Sequence, residues 1–432
     1  MKGVADEIQK IETGIRLNGK ILSIMMYADD IVLICRSYNE AVITYAILKQ
    51  KCLDIGLKIN VSKSQIVTRS DQGMVRPDAI PLEEVLMYTY LGIPMEINQR
   101  AQYMVGYSAS RGNKARMYSI STISLARNSP CPALFAWRVW RLVAIPGIFY
   151  GCESVLIREN ELKQIEIEQN KVARFILQVG TKTQTVSTQL LAGLESVQII
   201  YWRRVFDYYV DLHKAKDGTW KHNAFKECLK AGNEGNYYRK VTEQLRWLDI
   251  ESAEEIPPKL AAYSAHLAND LIDEHPASNQ ALRRATIEHP TRKSPLFGYT
   301  EEAKVYHEFI MMNAGLGNRA PLDNGTRITE CPLCDDDRQS LNEIHILMQC
   351  KGLSETRESS GIQDFINKRK DWSASKLYAS FWNDFGSTRI LRARVDAAQE
   401  MRTAFFISIG QVIYTFDMIR IIILMIRITL VM

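Results

Sequence analysis

The sequence predicts an α+β protein. A small antiparallel sheet with one packed helix stands at the N-terminus, followed by a mainly α-helical body that carries one compact metal-binding unit. Three observations predict this. Residues 21–35 place Asp29 and Asp30 between two apolar, strand-forming runs, helical periodicity begins at Ser37 and dominates residues 98–215, and Cys331, Cys334, His345 and Cys350 share one short window. A chain of 432 residues, 46% hydrophobic and 24% charged, can bury the cores of two or three globular domains and is not compositionally disordered.

Taken in order, residues 3–10 with Asp6 predict a polar helix. Ile21 to Cys35 predict a hairpin that buries its arms and lifts the two aspartates at its turn. Adjacent carboxylates repel unless a cation neutralises them, and hard oxygen ligands suit Mg²⁺ or Mn²⁺. A surface hairpin with an acidic turn satisfies the same residues. Ser37 and Glu40 form a capping box, and Ala41, Tyr45, Leu48, Cys52 and Ile55 then recur on one helical face before Gly56 stops the helix. Residues 56–67 predict a strand and loop carrying Lys63, and residues 88–94 a short strand ended by Gly92 and Pro94.

The order of these pieces resembles the later palm motifs of reverse transcriptases. Tyr27-Ala28-Asp29-Asp30 resembles the Tyr-x-Asp-Asp box of that family, Gly56-Leu57-Lys58-Ile59-Asn60-Val61-Ser62-Lys63 the motif after it, and Tyr90-Leu91-Gly92 the primer-grip strand where the thumb begins. Residues 145–153 and 168–177 are similar to the helical region after the palm in non-LTR (LINE-like) retrotransposons. The resemblance implies an RNA-directed DNA polymerase using two-metal nucleotidyl transfer. Asp29 would be the principal Mg²⁺ ligand with Asp30 beside it, Tyr27 would pack near the primer terminus, and Lys63 would protonate the departing pyrophosphate as a general acid. A solvated loop lysine is the other reading of Lys63. Two metals need a third carboxylate, which the family takes from an earlier strand. The 28 residues before Asp29 hold one aspartate, Asp6, and no such strand. The chain is therefore expected to be the C-terminal portion of such an enzyme, lacking fingers and early palm. It would act on an RNA template and a DNA primer or target, and would be inactive without the missing N-terminal half as its partner.

Cys331-x2-Cys334-x10-His345-x4-Cys350 has the spacing of a closed four-ligand Zn²⁺ site, structural rather than catalytic. A cysteine pair beside an unrelated core histidine is the alternative. The segment also resembles the Cys-Cys-His-Cys knuckle downstream of the polymerase in non-LTR elements, which implies a grip on RNA or DNA. In the helical stretch, Arg111, Lys114, Arg116, Arg138, Arg141, Arg203 and Arg204 interleave with Trp137, Trp140 and Trp202. The tryptophans are expected in the core. The arginines, Arg138, Arg141, Arg203 and Arg204 above all, are expected to face phosphates, as the family's thumb implies. Arg389, Arg392, Arg394 and Arg402 form a similar cluster.

The net charge of +5 leaves any affinity for polyanions to local patches. Eight cysteines without an N-terminal apolar leader predict an intracellular chain, nuclear or cytoplasmic, rather than a secreted disulfide framework. The apolar tail from Phe405 is interrupted by Asp417, Arg420 and Arg427 and predicts no membrane span. The expected division is a partial palm at 1–97, a helical thumb or connector at 98–215 and a helical linker at 216–325. The zinc knuckle follows at 326–355 and a helical tail at 356–432. A non-catalytic RNA- or DNA-binding protein that uses thumb and knuckle alone is the alternative function.

Overall fold

The computed structural model describes residues 2–67, 80–85, 87–95, 102–181, 183, 185–231, 236–247, 250, 255–256, 301–310, 330–334, 340–383, 387, 389–405 and 407–408. The chain divides into two compact units. The first comprises Met1–Arg116, Ile145–Ile165 and Val197–Tyr263, and the second Met117–Ala144, Glu166–Ser196 and Ser264–Met432. The apolar tail beyond residue 408 and most of 257–329 lie outside the described residues. No helix among the described residues is long and apolar enough to cross a membrane.

The first unit opens with α1 (Lys2–Gln9), whose Val4 and Ile8 are fully buried. They pack against Leu48 and Cys52 of α2 (Tyr38–Asp54), with Ile24, Ile31, Leu33 and Ile59 alongside. The expected polar helix is thus amphipathic, because one i, i+4 apolar pair is enough to seat a two-turn helix. Ser37 caps α2 by accepting from Glu40 N at 3.2 Å, and Glu40 returns a bond to Arg36 N at 2.9 Å, one residue upstream of the usual reciprocal partner. Gly56 at φ +78° lets Leu57 N reach Cys52 O at 2.8 Å and closes the helix. Ile55, expected on the buried face, is 50% exposed because the helix ends one residue before it.

Among the described residues the strands form four two-stranded ladders rather than one small sheet. β1 (Ile15–Leu17) with β2 (Lys20–Leu22), β3 (Ile24–Tyr27) with β4 (Asp30–Leu33), and β7 (Tyr88–Tyr90) with β8 (Ile93–Met95) are antiparallel hairpins. β5 (Gln65–Val67) and β6 (Glu83–Val85) pair in parallel, contrary to the expected all-antiparallel arrangement. A parallel pair needs a connection of a dozen or more residues, which 68–82 supplies. Further helices among the described residues are α3 (Gln102–Arg127), α4 (Pro132–Val139), α5 (Ile145–Ile148), α6 (Glu159–Leu177), α7 (Thr185–Leu191), α8 (Val197–His213), α9 (Trp220–Ala231) and α10 (Asn236–Trp247). α9 belongs to the region that sequence reading left as a linker, yet it holds the β1–β2 turn. Asn18 N donates to Glu227 Oε1 at 2.7 Å and Lys20 Nζ to Gly218 O at 2.9 Å.

In the second unit, α4 runs into a π-helical turn at Trp140–Ala144. Trp140 is fully buried and donates through Nε1 to Gln169 Oε1 at 3.0 Å, while Gln169 Nε2 donates to Glu195 O at 2.7 Å. Ser119 Oγ and Lys171 Nζ both donate to the buried Glu168 carboxylate, at 2.5 and 2.6 Å. Glu168, Gln169 and Asn170 therefore face inward, with Gln189 Nε2 donating to Asn170 Oδ1 at 2.8 Å, while Lys171 is exposed at the surface. Further along lie α11 (Glu301–Ile310), α12 (Glu343–Met348), α13 (Ser354–Ser359), α14 (Ile362–Asn367), α15 (Ala374–Asn383) and a last helix over residues 389–405. Tyr306 and Phe309 of α11 flank the buried ring of Trp382 at centroid distances of 5.7 and 5.9 Å.

His307, beside Tyr306, is fully buried, and its Nδ1 lies 3.0 Å from Leu177 O. Burial pushes its pKa down to about 4, against the smaller opposing effect of the Leu177 bond. A histidine depressed in the folded state and ordinary in the unfolded one gives the unfolded chain more protons between the two values, so stability falls as pH drops. Acidification from about pH 6.5 to 4 is expected to cost this unit on the order of 3 kcal/mol through His307 alone. Urea midpoints measured across that range should flatten in His307→Asn relative to the parent. An unchanged slope would refute the assignment.

Candidate functional sites: the acidic hairpin and the cysteine–histidine centre

The pairing of Tyr27 with Asp30 leaves Ala28 and Asp29 as a two-residue turn. Asp29 sits on the turn and Asp30 opens β4, and both carboxylates are exposed. As direct cross-strand partners, Tyr27 and Asp30 present their side chains on the same face of the hairpin, and Tyr27 is 65% exposed. The apolar arms behind them rest on α1 and α2, so a rigid base carries the acidic tip. Ala28 adopts φ +54°, a left-handed conformation that costs a residue with a Cβ about 1–2 kcal/mol. Ala28→Val, which adds a branch at that position, is expected to lower stability by roughly 1 kcal/mol or more, whereas Ala28→Gly is tolerated or slightly stabilising. Thermal midpoints of the two variants check this, and equal midpoints would refute it.

Lys63 closes the 3-10 turn Val61–Lys63 and is exposed. Tyr90, Leu91 and Gly92 were expected in a strand ended by Pro94. They form instead the first arm and turn of the β7–β8 hairpin, and Pro94 lies inside β8. Leu91 at φ +50° and Gly92 at φ +77° make the tight turn. Tyr150 holds it. Its hydroxyl donates to Leu91 O at 2.8 Å, and a Cβ on Gly92 would meet the Tyr150 ring at 3.2 Å. The next residue, Gly151, has φ +77° and lies against Ile93, while Tyr107 donates to Tyr150 O. The segment at residues 145–153 and the Tyr-Leu-Gly turn, distant in sequence, are thus one packed feature. The Tyr90 phenol is pushed up, first by burial and then by the Asp30 carboxylate, so this hairpin lies within electrostatic reach of the acidic tip.

Among the described residues, no third acidic group gathers with Asp29 and Asp30 into a metal-binding cluster. These two carboxylates alone do not complete a two-metal site.

The cysteine–histidine centre is different. One ligand atom each from Cys331, Cys334, His345 and Cys350 lies within 4.8 Å of the others. Cys350 Sγ is 3.7 Å from Cys331 Sγ and 3.8 Å from Cys334 Sγ, and Cys334 Sγ is 3.5 Å from His345 Nε2. A tetrahedral zinc with Zn–S about 2.3 Å and Zn–N about 2.0 Å spaces its sulfurs about 3.8 Å apart and sulfur from nitrogen about 3.5 Å. The edges match. They are far too long for a disulfide, whose sulfurs stand about 2.05 Å apart. The hydrogen bond from Cys350 draws the Cys331 thiol down to about 4, and the same contact, with burial, pushes Cys350 up. Sulfurs this close cannot all ionise without a cation between them, so the donor set fits zinc.

Local structure presents each ligand. Asn342 caps α12 by accepting from His345 N at 2.9 Å, and Cys350 N bonds back to His345 O at 2.8 Å. A Cβ on Gly352 would stand 2.7 Å from Leu333 O, so only glycine lets this backbone approach the Cys331–Cys334 turn. The four side chains that the sequence places in one window do gather in space, and these supports carry no comparable spacing signal. Asn342, three residues before His345, was nonetheless a readable cap.

The basic residues fare unevenly. Arg138 and Arg141 are exposed in the second unit, Arg141 lying over the Trp137 ring at 4.4 Å. Arg203 and Arg204 belong to the first unit and are partly buried, with Arg204 3.3 Å from Glu153. Arg111 is buried and donates to Ile148 O at 3.4 Å, so it is a packing residue rather than a phosphate contact. In the C-terminal cluster, Arg394 and Arg402 are engaged within the fold, whereas Arg389 and Arg392 are exposed. Arg394 donates to Ser380 O at 3.2 Å and to Phe381 O, Arg402 pairs with Glu308 at 2.5 Å, and Arg392 lies 3.8 Å from Glu302. Trp140 is core as expected, and Trp137 and Trp202 are partly buried.

Residues 4–95 match the reverse transcriptase (RNA-dependent DNA polymerase) family. An uncharacterised transposon-derived protein of Caenorhabditis elegans is 24% identical over 229 residues, covering 48% of this chain and 76% of that protein. The matched segment runs from α1 through β8 and includes Asp29, Asp30, Lys63 and the Tyr-Leu-Gly turn. An acidic hairpin backed by a capped helix thus lies within a segment similar to reverse transcriptases, in a chain that is similar to a transposon-derived protein.

Proposed function

We propose that this chain is the late palm, thumb and zinc-knuckle portion of a non-LTR (LINE-like) retrotransposon reverse transcriptase, and that alone it binds template and primer without extending them. The observation that carries this is the Tyr27–Asp30 hairpin on its α1–α2 base, which offers two exposed carboxylates and no third among the described residues. In a completed palm Asp29 and Asp30 would hold Mg²⁺ or Mn²⁺, with Lys63 as general acid and Tyr27 against the primer end. Residues 1–97 would form the partial palm and 98–215 the thumb, with a helical linker at 216–325. The zinc knuckle would occupy 326–355, ahead of a helical tail. Tyr90, Leu91 and Gly92 would face the primer, while Arg138, Arg141, Arg203 and Arg204 would contact phosphates. Cys331, Cys334, His345 and Cys350 would hold zinc, and the knuckle would grip RNA or target DNA.

The test measures binding of an RNA–DNA hybrid across a salt series, together with primer extension in Mg²⁺. Binding is expected to weaken with salt, with a log–log slope of about −0.9 per phosphate neutralised on duplex DNA as the reference, and to survive Asp29→Ala. Extension is expected only when a segment carrying the third carboxylate is supplied, and then to vanish in Asp29→Asn. Extension by the chain alone that Asp29→Asn abolishes would overturn the claim of inactivity. Salt-insensitive or undetectable binding would overturn the claim of nucleic-acid contact. Binding with no rescue of extension by any palm segment would favour the non-catalytic reading.

A further inference from the structure

Arg357 of α13 is a buried cation in an unusual position. It is 5% exposed, and no carboxylate of the described residues lies within ion-pair distance of it. Its guanidinium donates instead to Cys350 O at 2.5 Å, to Ile346 O at 3.4 Å and to Gln363 Oε1 at 3.2 Å. Removing a charge from water is costly, and neutral carbonyl and amide acceptors offset that only in part. A counter-charge is required nearby. Zinc held by three thiolates and one neutral imidazole carries a net charge of −1, and one of those thiolates belongs to the residue whose carbonyl Arg357 grips.

We propose that Arg357 is the built-in counter-ion of the cysteine–histidine centre, a positioning residue that ties metal retention to the packing of α13 and α14. The arrangement closes two electrostatic deficits at once. The centre gains a cation in a medium where no solvent screens it, and Arg357 gains the anionic partner that its surroundings otherwise lack. The hydrogen bond to Cys350 O also fixes the backbone that aims Sγ at the metal, and Gln363 fastens the guanidinium to α14. Supporting groups of this kind typically change metal affinity by about 10- to 100-fold when lost. The inference rests on the reading that the four ligands hold zinc.

The experiment measures zinc stoichiometry and affinity, by competition with a chromophoric chelator, in the full chain and in Arg357→Lys and Arg357→Gln. Lysine keeps the charge, whereas glutamine keeps an amide donor and loses the charge. Parent protein is expected to bind about one zinc, Arg357→Gln about 10- to 100-fold more weakly, and Arg357→Lys between the two. Cobalt substituted into each should keep its thiolate charge-transfer bands, showing the ligand set intact. Parent protein without zinc would overturn the metal reading itself. Parent protein that binds zinc while Arg357→Gln binds it equally well, or Arg357→Lys no better than Arg357→Gln, would overturn the counter-ion. Should Arg357→Gln not fold, hydrogen exchange of the parent decides. Residues 354–367 must lose protection when zinc is stripped, and unchanged protection would overturn the proposal.

Discussion

Cys331→Ser is expected to abolish zinc binding and to melt the segment from Glu330 through α14. The segment's helices α12, α13 and α14 are six residues each, too short to persist in water without tertiary contacts. Buried Ile346, Leu347, Leu353 and Ile362 pack them, and the ligand cluster, the Gly352–Leu333 approach and the bonds of Arg357 tie them to one another. Structural zinc in small units supplies apparent binding free energy of about 10–16 kcal/mol at neutral pH, which appears directly as folding free energy. Chelation of the parent should therefore reproduce the variant, and zinc should reverse it. Because the ligands must be deprotonated, lowering the pH should release metal and protection together. Metal analysis combined with limited proteolysis between residues 330 and 367 checks both. A zinc-free chain as resistant as the metal-loaded one would refute the expectation.

Trp140→Ala should be the most damaging single change outside the metal centre. The side chain is fully buried in the π-helical turn, and its Nε1–H satisfies Gln169, which in turn holds Glu195 O. Truncating a buried tryptophan to alanine costs about 3–5 kcal/mol, and stranding the amide oxygen of Gln169 adds about 1–3. Together these approach the whole net stability of many domains, about 5–15 kcal/mol. Trp140→Phe separates the two contributions, since it keeps most of the apolar volume and loses only the donor. Urea denaturation followed by far-UV circular dichroism measures both variants, and a loss under about 2 kcal/mol in Trp140→Ala would show that the site collapses around the gap.

Local grammar made part of this molecule legible. The acidic hairpin follows from two apolar runs around Asp29 and Asp30, and α2 from its cap, its buried Tyr45, Leu48 and Cys52, and its terminal Gly56. The gathering of Cys331, Cys334, His345 and Cys350 was readable because a chelating set keeps short spacing. What escaped depends on partners far away in the chain. Pro94 suggests a strand end because it cannot donate, but it pairs opposite Thr89 in a two-stranded ladder, where every strand is an edge and a missing donor is tolerated. The parallel pairing of β5 with β6 leaves no local trace, since period and composition are the same in either sense. Arg394 and Arg402 are indistinguishable in sequence from solvated arginines until Ser380 O and Glu308 are placed beside them. Tyr150 lay inside a recognised motif, yet its task at Leu91 O requires the β7–β8 turn to be brought to it.

The interleaving of the two units along the chain has a consequence for how the protein is made. Each unit takes three separate stretches, so the first is incomplete until residues 197–263 exist and the second until residues beyond 264 do. A nascent chain ending at residue 144 holds one stretch of the first unit and one of the second, with apolar faces awaiting sequence still inside the ribosome. Non-local assembly of this kind is slow and exposes such faces while it lasts. A shortened chain cut anywhere between residues 117 and 263 thus leaves both units without their full complement of segments.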